Sequence, residues 1–268
     1  MDIQYINHYI DHIKHTSQKR DKQSALRLAL SCLDLTSLNG SDTEKDIIRL
    51  CKQAMNLEPH PAAICIFAPF CKTTKSFLKH TNIKVASVAG GFPSGQLPLE
   101  LKLHEVKYAI SEGADEIDMV ISRTKFLEGR YAEVYDEIAS IKALCGNTIL
   151  KVIIECGELQ SIENIYKASE IAIEAGANFV KTSTGKININ ATPQSFTTIL
   201  LAIKAHYEKS EKMVGIKVSG GIKKAETALE YINLLYGILN EQWLHKEYFR
   251  IGASSLALDI EKQLHILC

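Results

Sequence analysis

Short apolar segments alternate with longer amphipathic segments along most of the chain. Eight of the apolar segments have the length and composition of buried strands, and these are residues 28–33, 62–67, 83–88, 115–121, 149–154, 178–182, 214–218 and 248–252. The intervening segments carry apolar residues at helical spacing, which predicts helices near residues 42–55, 70–79, 99–112, 130–144, 161–175, 193–208, 223–239 and 254–265. Strands that alternate with helices in this way predict a parallel sheet covered by helices.

Capping signals mark several of the predicted helix ends. The segment Ser41–Glu44 has the spacing of a capping box at the start of the first helix in this series. Pro193 follows Thr192, which suits the first turn of a helix after a threonine cap. Gly113 and Gly176 lie where glycine commonly ends a helix. These signals support the helix boundaries drawn from periodicity.

The number of repeating units decides between the two common parallel-sheet folds. Eight strand–helix units in about 250 residues match a closed (β/α)8 barrel, the TIM barrel. An open doubly wound sheet often has a glycine-rich turn after its first strand. Here the first predicted strand is followed by Asp34-Leu35-Thr36-Ser37-Leu38-Asn39, which is not a dinucleotide-binding fingerprint. We therefore predict an α/β TIM barrel over residues 25–268.

Residues 1–24 are predicted to form a separate N-terminal element. Its isoleucines recur at helical spacing, at Ile3, Ile6, Ile10 and Ile13. This pattern predicts an amphipathic helix that docks on the barrel through one apolar face. The polar segment 15–22 predicts the end of that helix and a connector. The helix is expected either to cover the lower mouth of the barrel or to take part in an oligomer contact.

Charge balance and cysteine usage limit the partners and the compartment. The 268 residues include 31 basic and 31 acidic side chains without a long run of like charge, which gives no reason to expect nucleic acid or an anionic membrane as a partner. No segment approaches the ~18 apolar residues of a membrane helix, and the N-terminus lacks the apolar core of a signal peptide. The seven cysteines form no Cys-x-x-Cys pair. Their odd number and scattered positions favour a reducing, cytoplasmic setting.

Two lysines in apolar strands are candidates for covalent chemistry on a carbonyl group. An unprotonated lysine amine can attack an aldehyde and form a Schiff base, and burial beside a second cation lowers the pKa of a lysine. Lys181 and Lys217 meet this description, and Asp118 is predicted to face the same interior as an acid or base. All three lie toward the carboxyl ends of strands, where TIM-barrel active sites lie. Lys151 and Glu155 are interpreted as an interior polar pair that orients the site.

Small and hydroxyl-bearing residues near the ends of the last two strands indicate a phosphate site. Ser219-Gly220-Gly221 closes the seventh predicted strand, and Gly252-Ala253-Ser254-Ser255 closes the eighth. Backbone N–H groups and hydroxyls at these two loops form the usual phosphate site of TIM barrels. Lys186 adds a positive charge. A single loop of this kind is more often an ordinary glycine turn or a serine cap, but two adjacent loops favour phosphate binding.

Seven short motifs occur in a fixed order along the chain. The most specific is Val180–Lys186, with the sequence Val-Lys-Thr-Ser-Thr-Gly-Lys. The others are Leu33–Thr36, Ala63–Ile66, Gly113–Asp118, Leu150–Glu155, Asn190–Pro193 and Gly252–Ser255. With these motifs the chain resembles the deoxyribose-phosphate aldolase family of class I aldolases, which use a TIM barrel. The resemblance covers residues from about 25 to 262.

The resemblance implies a reaction and a role for each candidate residue. Lys181 matches the Schiff-base lysine, Lys217 the lysine that perturbs it, and Asp118 the proton-relay aspartate. The residues that match the phosphate group's binding site are Lys186, Gly220, Gly221, Gly252, Ser254 and Ser255, and those that match the pocket lining are Asp34, Thr36 and Cys65. The implied reaction is reversible cleavage of the sugar phosphate 2-deoxy-D-ribose 5-phosphate to D-glyceraldehyde 3-phosphate and acetaldehyde. It implies no metal or organic cofactor, and a homodimer is the candidate assembly.

Two departures from the family and two other functions stay open. Some members end in a tail with a terminal tyrosine, whereas this chain ends Leu264-His265-Ile266-Leu267-Cys268. The segment after Lys217 reads Val-Ser before the glycines, where relatives often have other small residues. The alternative functions are a Schiff-base aldolase for another phosphorylated sugar and a non-catalytic sugar-phosphate-binding protein, because one fold serves many activities.

Overall fold

Eight parallel strands close into a barrel in the computed structural model, which describes residues 2–16 and 20–267. The strands are β1 (Leu33–Thr36), β2 (Ala63–Phe67), β3 (Lys84–Ala89), β4 (Glu116–Val120), β5 (Ile149–Ile153), β6 (Phe179–Lys181), β7 (Gly215–Ser219) and β8 (Phe249–Ala253). Strands that are neighbours in sequence are neighbours in the barrel, and β8 pairs with β1. The predicted TIM barrel is confirmed.

Helices surround the barrel and cover its outer face. Within the described residues they are α1 (Ile3–Thr16), α2 (Lys22–Ser31), α3 (Glu44–Asn56), α4 (Cys71–Phe77), α5 (Leu99–Ser111), α6 (Arg123–Leu127), α7 (Tyr131–Cys145), α8 (Ile162–Glu174), α9 (Pro193–Ser210), α10 (Ala225–Leu239) and α11 (Leu256–Leu267). Apolar strand residues such as Val180 and Ile216 join helix residues in one large core. None of the helices in this described part is long and apolar enough to span a membrane.

Strand alternation separates this outer core from the barrel interior. Val180 and Ile216 pack toward the helices, so their strand neighbours face inward. Phe179 and Gly215 are such inward neighbours, and they are direct register partners. A Cβ atom at residue 215 would lie 2.4 Å from the Phe179 ring, so glycine at this position leaves the space that the ring fills. The interior below the active-site end is therefore packed with side chains.

The prediction of a first strand at residues 28–33 is wrong. The chain forms α2 there, and β1 begins later, at Leu33. The buried residues of α2 recur at helical spacing, at Ala25, Leu26, Ala29 and Leu30. The Asp21 side chain caps the helix by accepting a hydrogen bond from the Ser24 N–H at 2.8 Å. A short apolar run does not by itself distinguish a strand from a buried helix. The boundary drawn between residues 24 and 25 falls within α2.

One of the capping predictions is wrong, and another is confirmed. The capping box of α3 joins Thr43 to Asp46, so the box predicted at Ser41–Glu44 is wrong by two residues. Thr192 caps α9 and Pro193 is its first residue, as predicted. The short helix α6 carries no periodic pattern of its own and was not predicted.

The N-terminal amphipathic helix is confirmed, and it packs on the outer ring of helices. Ile6, Ile10 and Ile13 are buried, and α1 contacts α9 and α10. A Cβ atom at Gly237 of α10 would lie 2.5 Å from Ile13 Cγ2, so glycine permits this close approach. Residues 17–19 of the predicted connector lie outside the described residues.

Candidate active site

The barrel interior holds seven charged side chains that come from six strands. We call this group the interior charge cluster. It consists of four cations, Lys151, Lys181, Lys217 and Arg250, and three carboxylates, Asp34, Glu116 and Asp118. Each is at most 3% exposed. An isolated charge buried to this extent costs several kcal/mol. That cost is offset here because each charged group lies beside partners of opposite sign.

Asp118 lies at the centre of the cluster. Its Oδ2 atom accepts hydrogen bonds from Lys181 Nζ and Lys217 Nζ, each at 2.7 Å. Its Oδ1 atom accepts one from Lys151 Nζ at 2.8 Å. Burial alone would raise the pKa of Asp118, but the three lysines hold that pKa well below its usual range. The structure thus brings the three predicted catalytic residues together around one ionised carboxylate.

Lys217 has a second carboxylate partner, which keeps it charged. Its Nζ atom also donates to Asp34 Oδ2 at 2.5 Å, while Arg250 donates to Asp34 Oδ1 at 2.7 Å. Burial alone would lower the pKa of Lys217, but Asp118 and Asp34 outweigh burial and raise it. Lys151 likewise lies between Glu116, at 2.5 Å, and Asp118, and its pKa is also raised.

Lys181 is the least neutralised cation of the cluster. Burial lowers its pKa, and the attraction of Asp118 is opposed by the positive charge of Lys217. Lys181 has Asp118 as its ion-pair partner, and Lys217 shares the same oxygen. The cluster also contains one more cation than it has carboxylates. Loss of a proton from Lys181 therefore removes the excess charge and produces the free amine that carbonyl chemistry needs.

Arg250 and Glu116 close the cluster on the side away from the mouth, and sequence analysis assigned them no part in the site. Two hydrogen bonds of 3.0 and 2.8 Å join the Arg250 guanidinium to the Glu116 carboxylate. The guanidinium also lies 5.5 Å from the centre of the Phe179 ring. Arg250 precedes the predicted site residue Gly252 by two positions, and Glu116 precedes Asp118 by two. Because residues two apart on a strand share a face, strand alternation is the sequence signal that places both on the interior face.

The predicted interior pair of Lys151 and Glu155 is wrong. Lys151 belongs to the interior charge cluster, whereas Glu155 contacts Thr184 and Arg123. Glu155 follows the end of β5 with a left-handed backbone, at φ 55° and ψ 64°. Strand alternation no longer applies at this position, because the chain has already turned away from the strand direction.

A cavity of about 250 Å³ opens beside Lys181 at the carboxyl ends of β1, β6, β7 and β8. The predicted binding residues in its wall are Thr36, Lys186, Gly220, Gly221, Gly252 and Ser254, and Lys223, which sequence analysis missed, also lines it. Ser255 is exposed, lies directly before α11 and is not part of this wall. Asp34 and Cys65 lie fully buried beneath it. The wall therefore combines lysines, hydroxyls and backbone N–H groups.

Glycine is required at two positions of this wall. Gly220 has a φ of +90°, and a Cβ atom there would lie 2.3 Å from Asn190 Oδ1. A Cβ atom at Gly252 would lie 3.1 Å from Lys217 Cε. The same Cβ atom would lie 2.9 Å from Ser219 Cβ, so glycine at residue 252 permits the close approach of both side chains.

Cys65 contacts Asp118, and Thr36 contacts Asp34, and neither contact is an ion pair. Cys65 Sγ is 3.9 Å from Asp118 Oδ2, and burial raises the pKa of its thiol. Cys65 also packs against Leu38 and Val88 in a small apolar cluster. Thr36 donates to the Asp34 backbone carbonyl at 2.8 Å. Cys65 is therefore a neutral neighbour of the carboxylate.

A larger cavity lies elsewhere and contains none of the predicted site residues. It measures about 590 Å³ and lies between the first residues of α1 and the starts of α8 and α9. We take the smaller cavity as the candidate active site, because Lys181 of the interior charge cluster lines it.

A buried lysine beside a second cation and a carboxylate, at the carboxyl ends of TIM-barrel strands, is suited to Schiff-base formation with a carbonyl substrate. The family model for the DeoC/LacD family aldolases matches residues 28–233. The chain is 41% identical to the deoxyribose-phosphate aldolase of Bos taurus over 264 residues. The matched region covers 92% of this chain and 83% of the relative. The chain is 40% identical over 268 residues to the deoxyribose-phosphate aldolase of Homo sapiens, with 94% and 84% covered. The chain belongs to the DeoC/LacD aldolase family.

Solved structures show the same fold. The structure titled "QR15, an Aldolase" has a TM-score of 0.75 and 29% identity, and the match covers 89% of this chain and 98% of that one. The deoxyribose phosphate aldolase from Aeropyrum pernix, whose structure is described as a unique tetramer, has a TM-score of 0.74 and 24% identity, with 94% and 100% covered. The second likeness concerns the fold alone.

Acid is expected to destabilise the protein through the interior carboxylates. The pKa of Asp34 is lowered in the folded state, because Lys217 and Arg250 outweigh the effect of burial, and in an unfolded chain it is about 3.9. Its contribution to stability is therefore present above about pH 4 and is lost as the pH falls toward the folded-state pKa. Asp34→Asn should lower the free energy of unfolding near neutral pH by about 3–5 kcal/mol, and should weaken the pH dependence below about pH 4.

Urea denaturation at about pH 7, 4 and 3 measures both effects. Asp136→Asn is the matched control, because Asp136 is exposed on α7. If Asp34→Asn and the unmodified chain lose stability in parallel on acidification, Asp34 is not the carboxylate responsible.

Proposed function

We propose that this chain is a class I aldolase that cleaves 2-deoxy-D-ribose 5-phosphate reversibly to D-glyceraldehyde 3-phosphate and acetaldehyde. The observation that carries the proposal is the buried Lys181 amine, which shares Asp118 Oδ2 with a charged Lys217. The relatives named deoxyribose-phosphate aldolase, at 40–41% identity over most of the chain, support this substrate.

Catalysis begins when the unprotonated Lys181 amine attacks C1 of the open-chain sugar. A C–N bond forms, the carbonyl oxygen takes up a proton, and loss of water from the carbinolamine gives an iminium ion. Asp118 Oδ2 accepts hydrogen bonds from the Lys181 nitrogen and from Lys217 Nζ, which makes Asp118 and Lys217 the candidates for proton transfer. They move the required protons, directly or through water.

Cleavage follows from the electron demand of the iminium ion. The C3 hydroxyl loses its proton, the C2–C3 bond breaks, and its electron pair moves into the iminium to form an enamine on Lys181. Glyceraldehyde 3-phosphate leaves at this step. Protonation of the enamine at C2 and hydrolysis of the resulting iminium release acetaldehyde and restore the amine.

The loops after β6, β7 and β8 hold the substrate phosphate in this proposal. Lys186 and Lys223 supply positive charge, and the backbone N–H groups of Gly220 and Gly221 are available as donors at the same wall. Ser254 and Ser255 precede α11, whose N-terminal end favours an anion. Binding at the phosphate orients the reacting carbons beside Lys181.

Replacement of Lys181 is expected to abolish the covalent step. With acetaldehyde and borohydride, the unmodified chain should gain a reduced two-carbon adduct on the peptide that contains Lys181. Lys181→Met should give no adduct and should lower kcat by roughly 1000-fold or more. Peptide mass spectrometry and a coupled assay for glyceraldehyde 3-phosphate measure these outcomes, and Lys167→Met, at an exposed lysine of α8, is the matched control.

The same assay separates the proposed reaction from the alternatives. Full activity of Lys181→Met would exclude the Schiff-base mechanism. Faster cleavage of a ketose phosphate would indicate an aldolase for another sugar. Tight binding of deoxyribose 5-phosphate without turnover would indicate a binding protein.

Removal of the Lys217 charge is expected to shift the pH dependence of adduct formation. In Lys217→Leu, the Oδ2 atom of Asp118 is left to Lys181, while Lys151 still donates to Oδ1, and the repulsion from the Lys217 ammonium is lost. Both changes raise the pKa of Lys181, so the fall of the adduct rate on acidification should move to higher pH by about one pH unit or more. Loss of proton transfer should also lower activity by about 100-fold or more. Borohydride trapping across a pH series measures the first effect.

Lys217→Arg is the control for this experiment, because arginine keeps the positive charge. It should retain the pH dependence of the unmodified chain even if its turnover falls. If Lys217→Leu forms the adduct with an unchanged pH dependence, Lys217 does not set the protonation of Lys181.

We also propose a homodimer in the cytoplasm. The six described cysteines are free and buried, which suits a reducing compartment. Leu101 and Tyr108 of α5 and Tyr135 and Leu144 of α7 are exposed apolar or aromatic side chains on two helices that pack together, which supports an interface there. Sedimentation velocity should give about twice the chain mass of 29.8 kDa.

The double variant Leu101→Glu with Tyr135→Glu should sediment as a monomer, whereas Ile189→Glu, at another exposed apolar residue, should not change the assembly. A monomer at every concentration of the unmodified chain would contradict the dimer. A tetramer, as described for the Aeropyrum pernix structure, would replace it.

A further inference from the structure

Glu155 combines three properties that ordinary turn residues do not share. It is fully buried, it is ionisable, and its backbone is left-handed at φ 55°. A non-glycine residue in this region is disfavoured, and such strain persists only where the surroundings hold it. Burial raises the pKa of Glu155, although Thr184 and Arg123 oppose the rise. The reaction proposed above does not use this carboxylate.

The Glu155 side chain holds the segment that follows β6. Its Oε1 atom accepts a hydrogen bond from the Thr184 N–H at 3.1 Å, and its Oε2 atom accepts one from Thr184 Oγ1 at 2.5 Å. Thr184 Oγ1 in turn accepts from the Lys186 N–H at 3.1 Å. Thr184, Gly185 and Lys186 all line the cavity beside Lys181. The carboxylate therefore fixes the backbone of this wall from behind.

Arg123 extends these contacts to two further loops. Its Nη2 atom donates to the backbone carbonyls of Pro93 and Ser94 at 3.0 and 2.6 Å, and its Nη1 atom lies 3.4 Å from Glu155 Oε2. The Arg123–Glu155–Thr184 bridge thus joins the loops that follow β3, β4, β5 and β6. Arg123 also pairs with Glu158 at 2.6 Å, but the Glu158 side chain is 45% exposed and is not joined to Thr184 in the described hydrogen bonds and ion pairs.

Backbone packing next to the bridge keeps the two central loops together. A Cβ atom at Gly157 would lie 1.9 Å from the Ile189 carbonyl oxygen, so the loop after β5 lies directly against the loop after β6. The wall segment Thr184–Lys186 is therefore held by Glu155 on one side and by the rest of its own loop on the other. Loss of the carboxylate would free the first of these restraints.

We propose that Glu155 is a positioning residue that fixes Thr184, Gly185 and Lys186 for binding of the substrate phosphate. The proposal rests on the proposed function, and it deepens that function by assigning phosphate affinity to a residue that does not touch the phosphate. It separates the bridge from the Lys181 chemistry, because neither Glu155 nor Thr184 contacts the interior charge cluster in the described hydrogen bonds and ion pairs.

The test compares substrates with and without the phosphate group. Glu155→Asn tolerates the left-handed backbone but is too short to reach Thr184. Its KM for deoxyribose 5-phosphate should rise about 10-fold or more, as expected for loss of charge-assisted hydrogen bonds that order the site, with a smaller change in kcat. Its kcat/KM for unphosphorylated 2-deoxyribose and its borohydride-trapped acetaldehyde adduct should stay within about 2-fold of the unmodified chain. Glu158→Asn, at the exposed partner of Arg123, should leave both substrates unaffected.

A second pair of variants keeps the test independent of the folding of Glu155→Asn. Thr184→Ser retains the hydroxyl that donates to Glu155 and should keep the KM for the phosphorylated substrate, whereas Thr184→Val should raise it. Equal losses toward both substrates, or no change in KM for the phosphorylated one, would overturn the positioning role. Absence of cleavage and of adduct in the unmodified chain would instead refute the proposed function.

Discussion

A single carboxylate oxygen shared by two ammonium groups is the interaction on which this site depends. Asp118 Oδ2 accepts from both Lys181 and Lys217, and one negative charge cannot neutralise both. Lys217 has Asp34 as a further partner and stays charged, whereas Lys181 does not have that support. Lys181 therefore holds its proton less tightly than Lys217 does, because of these two lysines only Lys217 has a second carboxylate partner among the described ion pairs.

That arrangement requires the barrel to close in one register. Lys181 is paired in register with Lys217, and Lys217 with Arg250. A slip of one residue would turn any of these side chains from the interior to the helix-facing side. The buried charges and the strand register therefore support each other. The Arg250–Glu116 pair and the Phe179 ring fill space beneath Lys181, and Lys181 lines the cavity on the other side.

Strands and loops carry different parts of the proposed site. The proposed reacting groups lie on strands, whose positions are fixed by the sheet, whereas the proposed phosphate site lies on loops, which need other restraints. Glycine at 220 and 252 permits close approach in the loops after β7 and β8, and the Glu155 carboxylate holds the loop after β6. Orientation of a substrate by its distant phosphate is effective only when those loops keep a fixed geometry relative to the strands.

The sequence by itself determined seven of the eight strands, the barrel, the N-terminal helix and the grouping of Lys181, Lys217 and Asp118, because these follow from period and from strand alternation. The strand predicted at 28–33 is wrong because hydrophobic periodicity does not distinguish a strand from a buried helix in so short a segment. The capping box of α3 lies two residues later in the chain than the sequence predicts. Only the tertiary structure decided that Lys151 faces Asp118 instead of Glu155, that Arg250 and Glu116 complete the cluster, and that Glu155 supports Thr184. These contacts join residues that are far apart in the chain. Their geometry depends on closure of the barrel and on the left-handed backbone at Glu155. Neither feature produces a local pattern in the sequence.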